Sequence, residues 1–185
     1  MAQTKAFLSQ KGGYKGLIAY QKAECIYDIT YYFAHHFLSA GDRTIDQMVQ
    51  AARSGKQNIA EGCAASTTSS ESEIKLTNVA KASLQELLVD YEDFLRVRGL
   101  VQWRESDERY LRARKACSEH NDSAYYRALI PSRSAETIAN IAITLIHQAD
   151  YLLQRLLERQ QDNFLKNGGI KEQMYNARIK ARENK

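Results

Sequence analysis

Pro131 is the one proline in this 185-residue chain. Everywhere else the backbone keeps the donor that a helix interior needs, so long unbroken helices are permitted almost throughout. The apolar residues use that permission. Ala19, Ala23, Ile26, Thr30, Phe33 and Phe37 step by fours and threes, which lines one face of a helix. Ile45, Met48, Ala52, Gly55 and Ile59 repeat the rhythm. So do Leu76, Ala80, Ser83, Leu87, Tyr91 and Phe94, and then Ile138, Ala142, Leu145, Ala149, Leu152 and Leu156. No segment alternates with the period of a strand. The pattern predicts an all-α protein: an antiparallel up-down four-helix bundle, with a helical excursion between helices 3 and 4 and a basic C-terminal tail.

Local signals set the expected boundaries. The first helix spans about 17–38 and Gly41 ends its pattern. Asp42 is placed to cap the second helix. Gly62 sits where a C-cap glycine would, and Asn58 and Glu61 beside it are expected to satisfy loop and backbone groups. Cys63–Ser70 reads as a hydroxyl-rich loop, with Ser70 and Glu73 as a capping box. The third helix then runs to about Arg98 and stops at Gly99. Shorter helical patterns lie near Asp107–Cys117 and Ser123–Ile130. Ser134 can cap the last long helix, which reaches Phe164 before Gly168 and Gly169. The expected organisation is an arm over 1–16, a bundle over 17–166 with its excursion at 100–131, and a tail over 167–185. Ala52 and Gly55 are small enough to let a neighbouring helix approach closely.

Charge is unevenly placed along a chain of net charge +4. Lys5, Lys11 and Lys15 stand in the arm without an acid, and Lys171, Arg178, Lys180 and Arg182 dominate the tail. Basic ends on a near-neutral body suit contact with a polyanion, or simply solubility. Cys25, Cys63 and Cys117 are far apart with no Cys-x-x-Cys pair, which fits free thiols of a cytoplasmic protein and no zinc site. The apolar run Thr137–Ala149 is too short for a bilayer, which takes roughly 20 residues.

Searches for chemistry mostly exclude. Di-iron bundles need Glu-x-x-His pairs, but the residues three before the four histidines are Tyr32, Phe33, Cys117 and Thr144. His35 and His36 are adjacent and point apart, as helix-end histidines near backbone carbonyls would. His147 has Asp150 within one turn, which suits a local hydrogen bond. Gly12-Gly13-Tyr14-Lys15-Gly16 lacks phosphate-loop spacing, and no nucleophile elbow is present. Arg114 and His120 resemble the Arg-x4–6-His signature of HEPN ribonucleases, which implies an acid–base histidine beside a phosphate-stabilising arginine.

Between Arg96 and Lys115 seven bases face three acids. Arg96, Arg98, Arg104, Arg109, Arg112 and Arg114 are candidate phosphate contacts, and Trp103 and Tyr110 among them are candidate stacking residues. A solvated helix face, with Asp107 and Glu108 pairing with Arg112, is the alternative. No base-reading module is present, so binding would be backbone-led and salt-sensitive.

The run Ala51-Ala52-Arg53-Ser54-Gly55-Lys56-Gln57-Asn58-Ile59-Ala60-Glu61-Gly62 resembles the signature of a bacterial four-helix-bundle family. That family includes proteins encoded in 23S ribosomal RNA intervening sequences and the accessory variability determinant of diversity-generating retroelements. Ala80 to Leu87, containing Ser83, resembles its second signature. The resemblance implies a homopentamer that binds nucleic acid and, in retroelements, a reverse transcriptase, with no catalysis or cofactor of its own. Gln50 and Lys56 stand where the family often has arginine and proline, and Arg53 and Lys56 are the substitutes available on neighbouring faces.

The leading expectation is a non-catalytic, oligomeric RNA- or DNA-binding accessory protein, using Arg53, Lys56, the arginines of 96–114 and the tail bases. An adaptor docking a protein partner through residues 170–185 as an amphipathic helix is the alternative. A ribonuclease using Arg114 and His120 is the third.

Overall fold

A computed structural model describes residues 13–183, and these are helical with no strand among them. Residues 1–12 of the expected arm, with Lys5 and Lys11, lie outside the described residues. The end of that arm is ordered: Tyr14–Gly16 form a 3-10 turn, and Tyr14 packs edge-on against Tyr20 at 4.7 Å. The helices are α1 (Ile18–Phe37), α2 (Thr44–Ala65), α3 (Ser70–Val97), α4 (Glu108–Glu119), α5 (Ser123–Leu129), α6 (Ala135–Asn167) and α7 (Ile170–Glu183).

Most stops and starts are those the local chemistry dictates. Gly41, Gly99 and Gly168 take positive φ values of 86°, 64° and 68°, which glycine adopts without a Cβ penalty. Asp42 Oδ1 accepts the Thr44 N–H at 2.9 Å. Asp107 and Ser134 cap α4 and α6 by accepting from Arg109 N and Thr137 N.

Two expected boundaries are corrected. Gly62 is not a C-cap: α2 continues to Ala65, and Gly62 is buried in helical backbone. A Cβ there would lie 3.4 Å from the Glu73 carbonyl oxygen and the Leu76 Cβ, so close approach of α3 is what the glycine permits. The α3 cap is Ser69, whose Oγ accepts the Ser72 N–H at 3.1 Å, so the expected Ser70–Glu73 box is displaced by one residue. That displacement places Glu73 on the buried face of α3.

Packing joins α1 to α2, α2 to α3, α3 to α6 and α6 back to α1. Side-chain pairs give the directions. Ser54 meets Ser83 while Gly62 meets Leu76, so α2 and α3 run oppositely. Lys81 meets Gln154 and Gln85 meets Asp150, so α3 and α6 also run oppositely. Thr30 meets Tyr91 and Phe33 meets Phe94, so α1 and α3 run the same way. Ile26, Ile29, Phe33, Met48, Leu84, Leu87, Tyr91, Ile138 and Leu145 fill the centre. The buried line of α6 shifts beyond Ala149, running through Leu153, Leu157 and Gln160 with Leu152 and Leu156 half-buried.

The 100–131 excursion is anchored rather than loose. Asn140, 2% exposed, accepts the Trp103 N–H at 2.8 Å and donates to the Val101 carbonyl at 2.9 Å. α4 packs on α6 and α5 on α1. Lys22, 4% exposed on α1, donates to the Cys117 carbonyl at 2.6 Å. That carbonyl lies in the last turn of α4, where helix oxygens lack an intrahelical partner and a cation is favoured.

Candidate nucleic-acid interface

Position along the helices divides the predicted bases into three zones. Arg53 and Lys56 lie on α2 at the level of Ser83, through the Ser54–Ser83 contact. Arg96 and Arg98 end α3, about 20 Å further along at 1.5 Å per residue. Arg104, Arg109, Arg112 and Arg114 continue from that end onto α4. Lys171, Arg178, Lys180 and Arg182 lie on α7, at the far end of α6, about 40 Å from Asn140 by the same rise. These zones do not form one patch.

Within the arginine segment some charges are already neutralised. Arg96 pairs with Asp93 at 2.7 Å. Arg109 pairs with Asp107 at 2.7 Å and reaches Glu136 at 3.6 Å. The direct ion pair expected between Asp107 and Arg112 is made by Arg109, whose amide and guanidinium both reach the capping carboxylate, while the Arg112 charge acts on Asp107 from further away. Hydrogen bonds from Arg109 hold the Asp107 carboxyl below its usual range, and Asp107 in turn raises Arg109. Arg98 lies over the Phe94 ring at 4.1 Å. Its charge adds to the hydrogen bonds from Thr44 that lower Asp42.

Arg104, Arg112 and Arg114 are different. All are exposed, and among the described residues none has a carboxylate within ion-pair distance. Lys115 on the same helix is only loosely matched, 4.0 Å from Glu119. The outer surface of α3 carries the opposite sign. Burial, with Glu86 and Asp93 beside it, raises the Asp90 carboxyl.

Trp103, expected to stack, is half-buried. Its backbone is tied to Asn140, its Nε1 is buried, and Arg109 lies 5.5 Å from its ring. Arg114 and His120 are not joined by any hydrogen bond among the described residues. His120 instead ends α4 and stacks on Tyr125 at 3.7 Å.

The two signature runs meet each other. Asn58 donates to the Ser54 carbonyl at 2.8 Å and to Ser54 Oγ at 3.1 Å. Ser54 Oγ lies 2.9 Å from Ser83 Oγ, and Ser83 Oγ donates to the Val79 carbonyl at 2.9 Å. Glu61 is exposed and makes no such bond among the described residues, so the expected role of satisfying backbone groups falls to Asn58 alone. Asp150, expected to bond His147, accepts from Gln85 instead.

A feature the sequence reading passed over lies on α1. Tyr27, Tyr31 and His35 are spaced at four, with ring centroids 6.3 Å and 4.3 Å apart, and Tyr32 stacks on His36 at 3.8 Å. His35 and His36 direct Nδ1 at the carbonyls of Tyr31 and Tyr32, 2.8 Å away, as expected of helix-end histidines. Repeated aromatics four apart were the available signal, obscured by the apolar stripe through Thr30, Phe33 and Phe37.

Among the described residues no cluster of His, Cys, Asp or Glu could hold a metal ion, and no helix is long and apolar enough to cross a membrane. The chain matches no family model, no curated protein and no solved structure.

Proposed function

We propose that α1, α2, α3 and α6 form an antiparallel four-helix bundle whose α4 surface binds the backbone of RNA or DNA, and that the protein acts as a non-catalytic accessory factor. The observation that carries this reading is the set of exposed guanidiniums on and before α4, Arg104, Arg112 and Arg114, none of which has a carboxylate within ion-pair distance among the described residues. Arginine forks on a helix fixed at both ends meet phosphates bidentately at little entropic cost. The fixing contacts are Asn140 to the preceding strand of chain and Lys22 to the last turn. The bundle-family resemblance adds a cytoplasmic homopentamer, with a reverse transcriptase as the protein partner.

Two measurements test this. Affinity for mixed-sequence RNA and DNA is expected to fall steeply as salt rises, because each phosphate contact releases a counterion. Folded protein that retains neither at low salt refutes the reading. Light scattering is expected to return five times the 21.1 kDa protomer mass. A monomer refutes the assembly.

The adaptor reading keeps one supporting observation. α7 is a basic helix whose Met174 and Tyr175 are 51% and 66% exposed, an apolar and cationic surface suited to a partner groove. Removing residues 170–185 would then abolish partner capture and leave nucleic-acid affinity intact.

A further inference from the structure

We propose that the outer face of α1 is a second contact surface, a stacking platform for unpaired nucleobases. The proposal rests on the nucleic-acid reading above but concerns a different helix and a different form of the ligand.

Tyr27, Tyr31, Tyr32, His35 and His36 line an open groove of about 480 Å³, together with Asp28, Arg127 and Ile130. Its walls are mostly aromatic rings. Tyr31 is 52% exposed and both histidines are exposed, while Tyr27 and Tyr32 are half-buried against the core. Planar π-faces a few ångströms apart accept bases of any sequence, since every base presents a π-face.

Two basic side chains at the groove suit a polyanion as the occupant, with the one acidic lining residue, Asp28, taken up by Arg127. Lys56 reaches from α2 to lie 4.4 Å from the Tyr27 ring centroid. Arg127 reaches from α5, where Asp28 and Ser123 hold one guanidinium nitrogen at 2.7 Å and 2.8 Å. The side chain remains 60% exposed, leaving its other donors open to a phosphate. Lys56 over Tyr27 and the open donors of Arg127 give the aromatic row cations for the phosphates that flank the bases of a nucleic-acid strand. A proline-rich peptide would also rest on tyrosines, but it would leave both cations unused.

The histidines add a polar edge. With Nδ1 facing a backbone carbonyl in each ring, the neutral form carries its proton there and leaves Nε2 as an acceptor. Exocyclic amines of adenine, cytosine and guanine are donors that such nitrogens accept. In a duplex these faces are stacked away, so the groove discriminates single strands from double.

The experiment compares a mixed-sequence single strand of about 12 nucleotides, within the range a single-strand site covers, with a duplex of the same sequence. The strand carries one 2-aminopurine. For the parent protein we expect quenching of that base on binding. The Tyr31→Ala/His35→Ala variant is expected to weaken single-strand binding about ten-fold, the scale of losing base stacking, with duplex affinity within about two-fold. Tyr31→Phe keeps the π-face and is expected to keep the affinity. Both residues are exposed, so the variants should fold, which circular dichroism checks. Parent-like single-strand affinity in the double variant overturns the platform and leaves the α4 reading standing. Binding of neither strand nor duplex by the parent overturns both. Tyr31-dependent binding of a proline-rich peptide, with no Tyr31-dependence for the oligonucleotide, also overturns the platform.

Discussion

Ser54 on α2 and Ser83 on α3 touch through their hydroxyls, Oγ to Oγ at 2.9 Å, and so tie together the two runs on which the family resemblance rests. One residue further along, Gly55 lies against Leu84 and Ala80. A Cβ there would stand 2.6 Å from Leu84 Cδ2 and 2.9 Å from Leu84 Cγ. The resembling residues therefore make a helix–helix seam. Their spacing serves close approach, and the ligand-binding candidates on the same helix, Arg53 and Lys56, lie off the seam.

The seam predicts a stability effect without a binding effect. Gly55→Val forces branched carbon into a filled site and should cost about 2–3 kcal/mol. A Ser54→Ala, Ser83→Ala double-mutant cycle should give a coupling of about 1 kcal/mol. Urea denaturation measures both. Gly55→Val at parental stability would show that the approach of α2 to α3 is looser than 2.6 Å implies.

Asn140 predicts a local effect with its own reporter. Replacing it by alanine strips partners from the Trp103 amide and the Val101 carbonyl, at a cost of about 2–3 kcal/mol. Trp103 is the only tryptophan, so its emission reports the excursion alone. A red shift in native buffer, with helix content retained, is the expected result.

Lys22 predicts a pH effect. Burial pushes its amine below the ordinary 10.5. Below the folded-state value both states hold the proton, and the native state bears the whole cost of the buried charge. Between that value and 10.5 the unfolded chain holds more protons, so this residue's contribution to stability rises with pH. Lys22→Met removes that rise, and the stability of the variant relative to the parent should decline as pH approaches 10.5 from below. Cys25 and Cys117 work in the opposite direction in both proteins. Burial pushes them up to about 12 and about 11, so stability falls above the ordinary thiol value of 9.0. A constant offset between variant and parent across that range would contradict the assignment.

What the sequence disclosed was local. Ser134, Asp107, Asp42, Gly41 and Gly99 act on their own helix ends, and a cap or a positive φ needs only a few neighbours to be recognised. Gly62 and Ser70 depart from the expected capping roles for the complementary reason. A glycine near a helix end serves equally as a cap or as a point of close approach, and only α3 decides between them. The arginines show the same limit. Arg109 is separated by 27 residues from Glu136, and nothing in the linear spacing distinguishes it from Arg112. The aromatic row on α1 was legible in principle, but the core stripe beside it has the same period.

The arginines of α4 offer the most direct measurement. Arg112→Glu/Arg114→Glu should weaken binding of mixed-sequence nucleic acid and flatten the dependence of log Kd on log salt by about two contacts. The fold should be retained, since both side chains are exposed and neither has a carboxylate within ion-pair distance among the described residues. Unchanged affinity and unchanged salt slope in the folded double variant would contradict the assignment of this surface to phosphate binding.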